Sequence, residues 1–474
     1  FMSIFKQTKI VCTLGPSSNN YETILAMANA GMNVVRLNFS HGEHKDHLAN
    51  IELVRKVEKE NGLNLGILLD TKGPEIRLGD FENGEETYQK GDIVTLCKEN
   101  IVGTHDRVTI KCPELFNDVK EGNVILVNDG KQQLKIIEKS SDELKCEVQV
   151  NGILASRKGC NVPGVKLTMP FISEKDDADL RFGCEQNVDF IAASFVRRAD
   201  DVLRIRKILA EMGKPSIQII AKIENQEGFD NIDEILDVAD GVMVARGDLG
   251  VEVSPDRVPI YQKLIIKKAN QYGKPVITAT HMLDSMTKNP RCTRAEASDV
   301  ANAVLDGSDA VMLSAESAAG DYPVEAVKTM ASICETAEDI FPFREHLETM
   351  KQYKHDTIQD AIGIAVSDAS LTLPVGAVVV FTQGGTTAKV ISKYRPACPT
   401  YAVTFNKQTQ HALETYAGVT PVISRVQNDL TNDDELASAV CKAFGHKPGE
   451  LVVISAGYPT GEGSANMMKI VTIK

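Results

Sequence analysis

A lysine and a glutamate stand two residues apart in the stretch Gln218 to Gly228, which reads Gln-Ile-Ile-Ala-Lys-Ile-Glu-Asn-Gln-Glu-Gly. The apolar run Ile217 to Ala221 has the length of a buried parallel strand, so Lys222 and Glu224 leave its C-terminal end pointing the same way. About one strand-helix unit later, Gly241 to Ala245 opens into Arg246-Gly247-Asp248-Leu249-Gly250. Glu224 and Asp248 then top adjacent strands. Hard oxygen ligands from two neighbouring strands suit Mg²⁺ or Mn²⁺ and leave coordination positions open for substrate oxygens. Taken alone, a Lys-x-Glu is more often a buried ion pair that locks a loop, and two acids are more often unrelated surface groups. Polar residues at the ends of successive strands tip the balance, because catalytic groups of an eight-stranded parallel barrel come from those ends.

Further polar groups gather at other strand ends. Asn38, Ser40, Asp70 and Thr71 offer amide, hydroxyl and carboxylate oxygens, a set suited to a monovalent cation. The competing reading is a polar network that closes the barrel end. Arg36, Arg77, Lys158 and Lys222 are the cations placed to answer phosphate charge. Gly247-Asp248 is expected to open a short helical turn whose free N–H groups accept a carboxylate or phosphate. Near the other end of the chain, Phe381-Thr382-Gln383-Gly384-Gly385-Thr386-Thr387-Ala388 reads as a strand, a glycine turn and a hydroxyl-rich helix start. That arrangement fits a phosphate but lacks the lysine of a P-loop, and an ordinary strand-helix turn fits it equally. The loop Gly457 to Gly463 is placed to close over it.

The elements that position these groups follow from hydrophobic periodicity. Strands are predicted at Thr8 to Leu14, Asn33 to Leu37 and Leu65 to Leu69, separated by helices at Tyr21 to Ala30, closed by Gly31, and up to about Asn61. At Pro74 the rhythm breaks. From there to about Pro170 short alternating strands (Ile93 to Cys97, Val108 to Lys111, Val124 to Val127, Leu134 to Ile137, Leu144 to Val150) alternate with Gly, Asn and Asp turns. Strand and helix resume at Ser173, with strands at Val188 to Ala193, Ile217 to Ala221, Gly241 to Ala245, Pro275 to Ala279 and Asp309 to Leu313. Eight strands with intervening helices make a (β/α)8 TIM barrel, over 1–73 and 171–341, interrupted by a small β-barrel lid domain over 74–170. Prolines at both junctions suit stiff hinges, and a hinged cap expels water during chemistry. After Pro342 a C-terminal α/β domain is expected over 342–474, with helices at Thr357 to Leu373 and Thr386 to Tyr394. Its strands are expected at Ala377 to Phe381, Thr400 to Val403, Leu451 to Ser455 and Lys469 to Ile473.

Lys plus Arg number 52 against 65 for Asp plus Glu, a net charge of −13, which argues against nucleic acid or an anionic membrane as the main partner. An anionic substrate then needs a local cationic site or metal ions. The ten cysteines are scattered with no Cys-x-x-Cys pair, so zinc and redox motifs are not expected. With neither a leader pattern nor a run long enough to span a bilayer in this sequence, a cytoplasmic location is expected.

Six segments carry a family resemblance. Lys9-Ile10-Val11-Cys12-Thr13-Leu14-Gly15-Pro16, Arg36-Leu37-Asn38-Phe39-Ser40-His41-Gly42, Leu69-Asp70-Thr71-Lys72-Gly73-Pro74-Glu75-Ile76-Arg77, Lys222-Ile223-Glu224-Asn225, Ala245-Arg246-Gly247-Asp248-Leu249-Gly250 and Met282-Leu283-Asp284-Ser285-Met286 closely resemble, in order, the motifs of the pyruvate kinase family. The resemblance implies phosphoryl transfer from phosphoenolpyruvate to ADP, giving pyruvate and ATP. It implies Mg²⁺ on Glu224 and Asp248, Lys222 countering the charge of the moving group, and Arg36 on the phosphate. Gly247, Asp248 and Thr280 then position the carboxylate. Arg77 and Lys158 face the nucleotide with His41 and Pro16 nearby, and Asn38, Ser40, Asp70 and Thr71 hold K⁺. Glu75 stands where the family carries Glu or Lys, and Glu goes with K⁺ activation. Thr382, Thr386, Thr387 and Gly461 match an effector site for a phosphorylated sugar or nucleotide, and a homotetramer is implied.

Four positions depart from the family pattern: His281 for Gln, Cys292 for Pro, Ala315 for Gly and Asn128 for Asp. The imidazole of His281 titrates near neutrality where an amide does not, so it bears on pH dependence unless it is only a hydrogen-bonding substitute. Two other readings stay open on the residues: a metal-dependent lyase or Lys222 Schiff-base aldolase acting on pyruvate or phosphoenolpyruvate, and a non-catalytic binding protein.

Overall fold

The computed structural model describes residues 6–353, 356–426, 431–458 and 465–474. Eight short apolar segments close into an all-parallel barrel: Lys9–Thr13, Val34–Asn38, Gly66–Asp70, Phe190–Ala193, Gln218–Ile223, Gly241–Ala245, Val276–Ala279 and Ala310–Leu313. Each is covered on both faces, which is why it reads as a continuous hydrophobic run. Val11, Val34, Leu68, Ala192, Ile220, Met243, Ile277 and Met312 fill the interior. The residues of opposite parity, such as Cys12, Val35, Leu69 and Ala221, pack against the surrounding helices. Local signals start and stop those helices. Gly31 ends Tyr21–Ala30 with φ 124, and Ser173 with Asp176 and Thr293 with Glu296 cap Glu174–Glu185 and Arg294–Leu305 reciprocally.

Between the third and fourth barrel strands the chain builds a separate sheet of seven strands drawn from Ile76 to Asn161. Its two edges meet at a Leu78–Ile110 bridge, reinforced by Gly79 N to Thr109 O at 2.8 Å and Lys111 N to Arg77 O at 2.8 Å. The sheet thus curls into a small barrel around its own core of Tyr88, Phe116 and Leu134. Four of the inserted strands escape the sequence reading: Ile76–Arg77, Glu85–Tyr88, Gly152–Ala155 and Gly159–Asn161.

The C-terminal sheet has five strands in the order Val419–Ile423, Thr400–Thr404, Val375–Phe381, Leu451–Ala456 and Met467–Thr472, the last antiparallel. It docks on the end of the barrel where the strands begin. There Lys9 Nζ lies 3.1 Å from Glu414, and Ala417 N donates to Asp309 at 3.2 Å. The opposite end stays free of it. Among the described residues no helix is long and apolar enough to cross a membrane, and the ten cysteines are free thiols.

One buried cluster ties the C-terminal unit to the barrel. His411 is only 6% exposed, with Nε2 2.6 Å from Glu58 Oε1 and Nδ1 3.0 Å from Asp189 Oδ1. Arg55 reaches both carboxylates and Lys407 reaches Glu58 at 2.9 Å. Burial alone lowers His411, but its hydrogen bonds to Asp189 and Glu58 outweigh burial and hold it above its ordinary 6.5. Burial alone raises Glu58, yet His411, Lys407 and Arg55 bring it down to about 2. A raised imidazole contributes stability that is complete below 6.5 and is lost as pH rises through the folded value. The thermal midpoint advantage of the native chain over His411→Gln is therefore expected to shrink as pH is raised above 6.5. A difference that stays constant with pH contradicts the assignment.

Candidate active site

Parity along the barrel strands explains which side chains reach the site. Ile220 points into the barrel, so Lys222 and Glu224, two and four residues on, continue the same inward row to its open end. By the same count Val11 leads to Thr13, Val34 to Arg36, Leu68 to Asp70 and Ala192 to Ser194. Side chains from five strands thus converge in one layer.

They are joined by direct hydrogen bonds. Asp70, 1% exposed, accepts from Arg36 Nε at 2.6 Å on one oxygen and from Lys222 Nζ at 3.0 Å on the other. Arg36 also donates to Thr13 Oγ1 at 2.9 Å, and Lys222 donates to Ser194 Oγ at 2.8 Å. Ser194 Oγ lies 2.6 Å from Thr71 O and 3.1 Å from Asp70 Oδ1. Glu224 Oε2 accepts from Phe195 N at 2.5 Å. Its Oε1 lies 3.1 Å from Lys222 Nζ, but off the hydrogen-bond direction, and no group among the described residues donates to it.

The charges do not balance within the site. Burial works to lower Lys222, but Asp70 and then Glu224 outweigh it and hold the ammonium above its ordinary range. Burial raises the Glu224 carboxyl to about 8, with Asp248 and Asp70 adding to the shift and Lys222 and Phe195 N–H opposing it. A simple ion pair would pull the two partners apart in the opposite sense for Glu224. Lys222 hydrogen-bonds Asp70 but not the Glu224 oxygen that lies 3.1 Å from it. A buried carboxylate oxygen without a donor, beside a second acid, is a donor set that a divalent cation fits. Asn38 and Asp70 are register partners on neighbouring strands, and Asn38 Oδ1 accepts from Ser40 N at 3.1 Å.

The seven-residue helix Arg246–Glu252 starts directly at the end of its strand, as the Gly247-Asp248 reading expects. The Gly247 N–H is not free as that reading expected: it donates to Thr280 Oγ1 at 2.7 Å. Thr280 and His281 both take left-handed backbone, φ 73 and 53, held by Arg246 donating to Thr280 O at 2.6 Å. His281 is exposed, Cys292 half-buried, Ala315 opens a short helix, and Asn128 takes φ 54 in a turn that suits asparagine.

In the inserted unit, Lys158 sits next to Gly159, whose register partner is Arg77. Lys158 therefore lies just before the strand that pairs with that of Arg77, its carbonyl accepting from Leu78 N at 3.0 Å. Lys158 is exposed, whereas Arg77 grips Glu75 through both Nε at 2.7 Å and NH2 at 3.0 Å. Pro16 and His41 are exposed in loops that follow the first and second barrel strands. In the C-terminal unit Thr386 is exposed and Thr387 buried, while Thr382 Oγ1 accepts from Gly385 N at 3.0 Å. Gly461 lies outside the described residues, as does most of the loop Gly457 to Gly463.

Sequence reasoning missed Thr13 and Ser194. The signal was available: each is two residues beyond an inward-facing barrel residue, in step with Arg36, Asp70 and Lys222.

A parallel barrel whose open end carries a fixed ammonium, a guanidinium and a buried carboxylate oxygen without a donor has the makings of an enzyme for a small anionic substrate. Comparison with known proteins narrows the class. The family description "Pyruvate kinase, barrel domain" matches residues 5–327, and "Pyruvate kinase, alpha/beta domain" matches residues 360–471. A pyruvate kinase of Staphylococcus epidermidis is 50% identical over 471 residues, covering 98% of this chain and 80% of that protein. One from Staphylococcus aureus is 49% identical over 470 residues, with the same coverage. A crystal structure of a pyruvate kinase from Cryptosporidium parvum superposes with a TM-score of 0.95 at 36% identity, covering 99% of this chain and 96% of that one. The chain belongs to the pyruvate kinase family.

Asp70→Asn removes the charge that answers both Arg36 and Lys222. Breaking a buried pair by removing one partner costs roughly 3–5 kcal/mol. The variant is expected to unfold at markedly lower urea than the native chain, read by circular dichroism. An unchanged midpoint would mean that the two cations are compensated elsewhere.

Proposed function

We propose that this chain transfers the phosphoryl group of phosphoenolpyruvate to ADP and then protonates the resulting enolpyruvate at carbon, giving pyruvate and ATP. The observation that carries this reading is Lys222, a buried ammonium fixed by Asp70 and Ser194 beside the unpartnered oxygen of Glu224. Catalysis of phosphoryl transfer is largely positioning and charge stabilisation, and a compact ammonium meets charge on the moving group wherever it lies along its path. Arg36 grips the phosphate from the adjoining strand. Gly247, Asp248 and Thr280 orient the carboxylate, so the enol carbon faces a fixed direction for its proton.

Glu224 and Asp248 would hold Mg²⁺ or Mn²⁺, which when bound neutralises charge on the substrate's carboxylate and phosphate oxygens. Asn38, Ser40, Asp70 and Thr71 would hold K⁺, and the acid at Glu75 leaves the neighbourhood in need of it. Arg77 and Lys158 serve the nucleotide phosphates, with Pro16 and His41 at the same rim, and the inserted unit over 74–170 acts as a lid that excludes water. Release of Arg77 from Glu75 is part of nucleotide binding in this reading. The barrel is assigned to 1–73 and 171–341 and a regulatory domain to 342–474, in which Thr382, Thr386, Thr387 and Gly461 take a phosphorylated sugar or nucleotide. A homotetramer is the assembly on which such an effector acts.

The lyase and aldolase readings fare worse on chemistry. A Schiff-base lysine needs its amine neutral, and Asp70 and Glu224 hold Lys222 charged. Pyruvate production from phosphoenolpyruvate with Mg²⁺ is expected to require ADP and to fall at least about tenfold when K⁺ is replaced by Na⁺, as expected when one counter-charge is lost from a dry site. Pyruvate formed without ADP overturns the kinase reading, and full activity in Na⁺ overturns the K⁺ site alone.

A further inference from the structure

The fourth barrel strand, Phe190–Ala193, ends in the loop Ser194-Phe195-Val196. Its two leading residues each hold one member of the Lys222–Glu224 pair. Ser194 is 2% exposed, and its hydroxyl accepts from Lys222 Nζ at 2.8 Å while its single proton is shared between Thr71 O at 2.6 Å and Asp70 Oδ1 at 3.1 Å. Phe195 N then donates to Glu224 Oε2. To do so Phe195 adopts φ 57, a left-handed conformation that a bulky residue takes only when its surroundings impose it.

Those surroundings are tight. A Cβ on Gly73 would stand 2.7 Å from the Ser194 Cβ, and one on Gly228 would stand 2.5 Å from Val196 O. Only glycine at both positions lets the loop seat as it does. Gly73, with φ 75, is also the last residue before Pro74 and the inserted unit. The loop is thus clamped between the root of the insert and the helix that follows Glu224.

We infer that Ser194 is a positioning residue for phosphoryl transfer, fixing Lys222 Nζ between Asp70 and its own hydroxyl so that a third N–H stays free for the substrate. The inference rests on the role proposed above for Lys222. An ammonium has three protons to place. Asp70 and Ser194 take two of them, and the Glu224 oxygen at 3.1 Å lies off the direction of the third. Without the Ser194 oxygen the flexible lysine is free to turn onto Glu224, which both withdraws the charge from the phosphoryl path and occupies the carboxylate.

The test is a double-variant cycle on the full chain with phosphoenolpyruvate, ADP, Mg²⁺ and K⁺. Ser194→Ala is expected to lower kcat roughly tenfold to a hundredfold with the phosphoenolpyruvate KM changed less than about threefold, the scale set by a misplacement near 1 Å. In a Lys222→Arg background, where the ammonium geometry is already lost, the same substitution is expected to change kcat less than about twofold, the non-additivity of residues that act as a unit. Mn²⁺ affinity of Ser194→Ala, read by calorimetry, is expected to fall as Lys222 turns onto Glu224, and thermal unfolding shows that the variant is folded. A kcat within twofold of native, or the same loss in both backgrounds, overturns the inference. Lys222→Arg retaining native turnover defeats the function reading instead, so the two failures are distinguishable.

Discussion

Asp70 holds the site together because it is one buried carboxylate shared by two cations from two other strands. Arg36 and Lys222 are long, flexible side chains, and like charges brought together repel. Both are fixed here by hydrogen bonds at 2.6 and 3.0 Å to opposite oxygens of one group. The same contacts hold Asp70 below its ordinary range against a burial effect that works to raise it. Its rigidity comes from the barrel, since Asp70 is the last residue of its strand and its register neighbours are Asn38 on one side and Ala192 on the other. The arrangement is a fixed pair of positive charges at the mouth of an otherwise apolar cylinder.

The rest of the fold respects that end of the barrel. The C-terminal unit docks where the strands begin, through the Glu58–His411–Asp189 cluster and the Lys9–Glu414 pair. The inserted unit springs from the third strand, three residues after Asp70, and returns before the fourth. Its root at Gly73 presses on Ser194 and Phe195. A movement of the insert therefore has a short physical route to Lys222 and Glu224, through packed backbone rather than through solvent.

Much of this was legible in the residues. The eight barrel strands announce themselves as apolar runs because they are buried on both faces, and Lys222, Glu224 and Asp248 stand where those runs stop. The inserted strands Ile76–Arg77 and Gly159–Asn161 were not legible, since pairing across the insert rather than periodicity makes them strands. Ser194 was legible only in part: strand parity places it in the inward row, but a lone serine at a strand end has many ordinary uses, and its distances to Lys222 and Thr71 give it its role. The same holds for His411, whose partners Glu58 and Asp189 are separated from it by 353 and 222 positions. The left-handed turns at Phe195 and Thr280 carry no glycine to reveal them.

The account stands on Lys222 as the charge that meets the phosphoryl group in transfer. The most direct measurement is turnover of phosphoenolpyruvate with ADP, Mg²⁺ and K⁺ by Lys222→Met, beside the native chain, with folding followed by circular dichroism. Loss of a single preorganised charge at a transition state costs on the order of a hundredfold to a thousandfold in kcat, and at least that loss is predicted for a folded variant. A folded Lys222→Met that turns over within tenfold of the native rate would contradict the account, on the same scale of transition-state stabilisation.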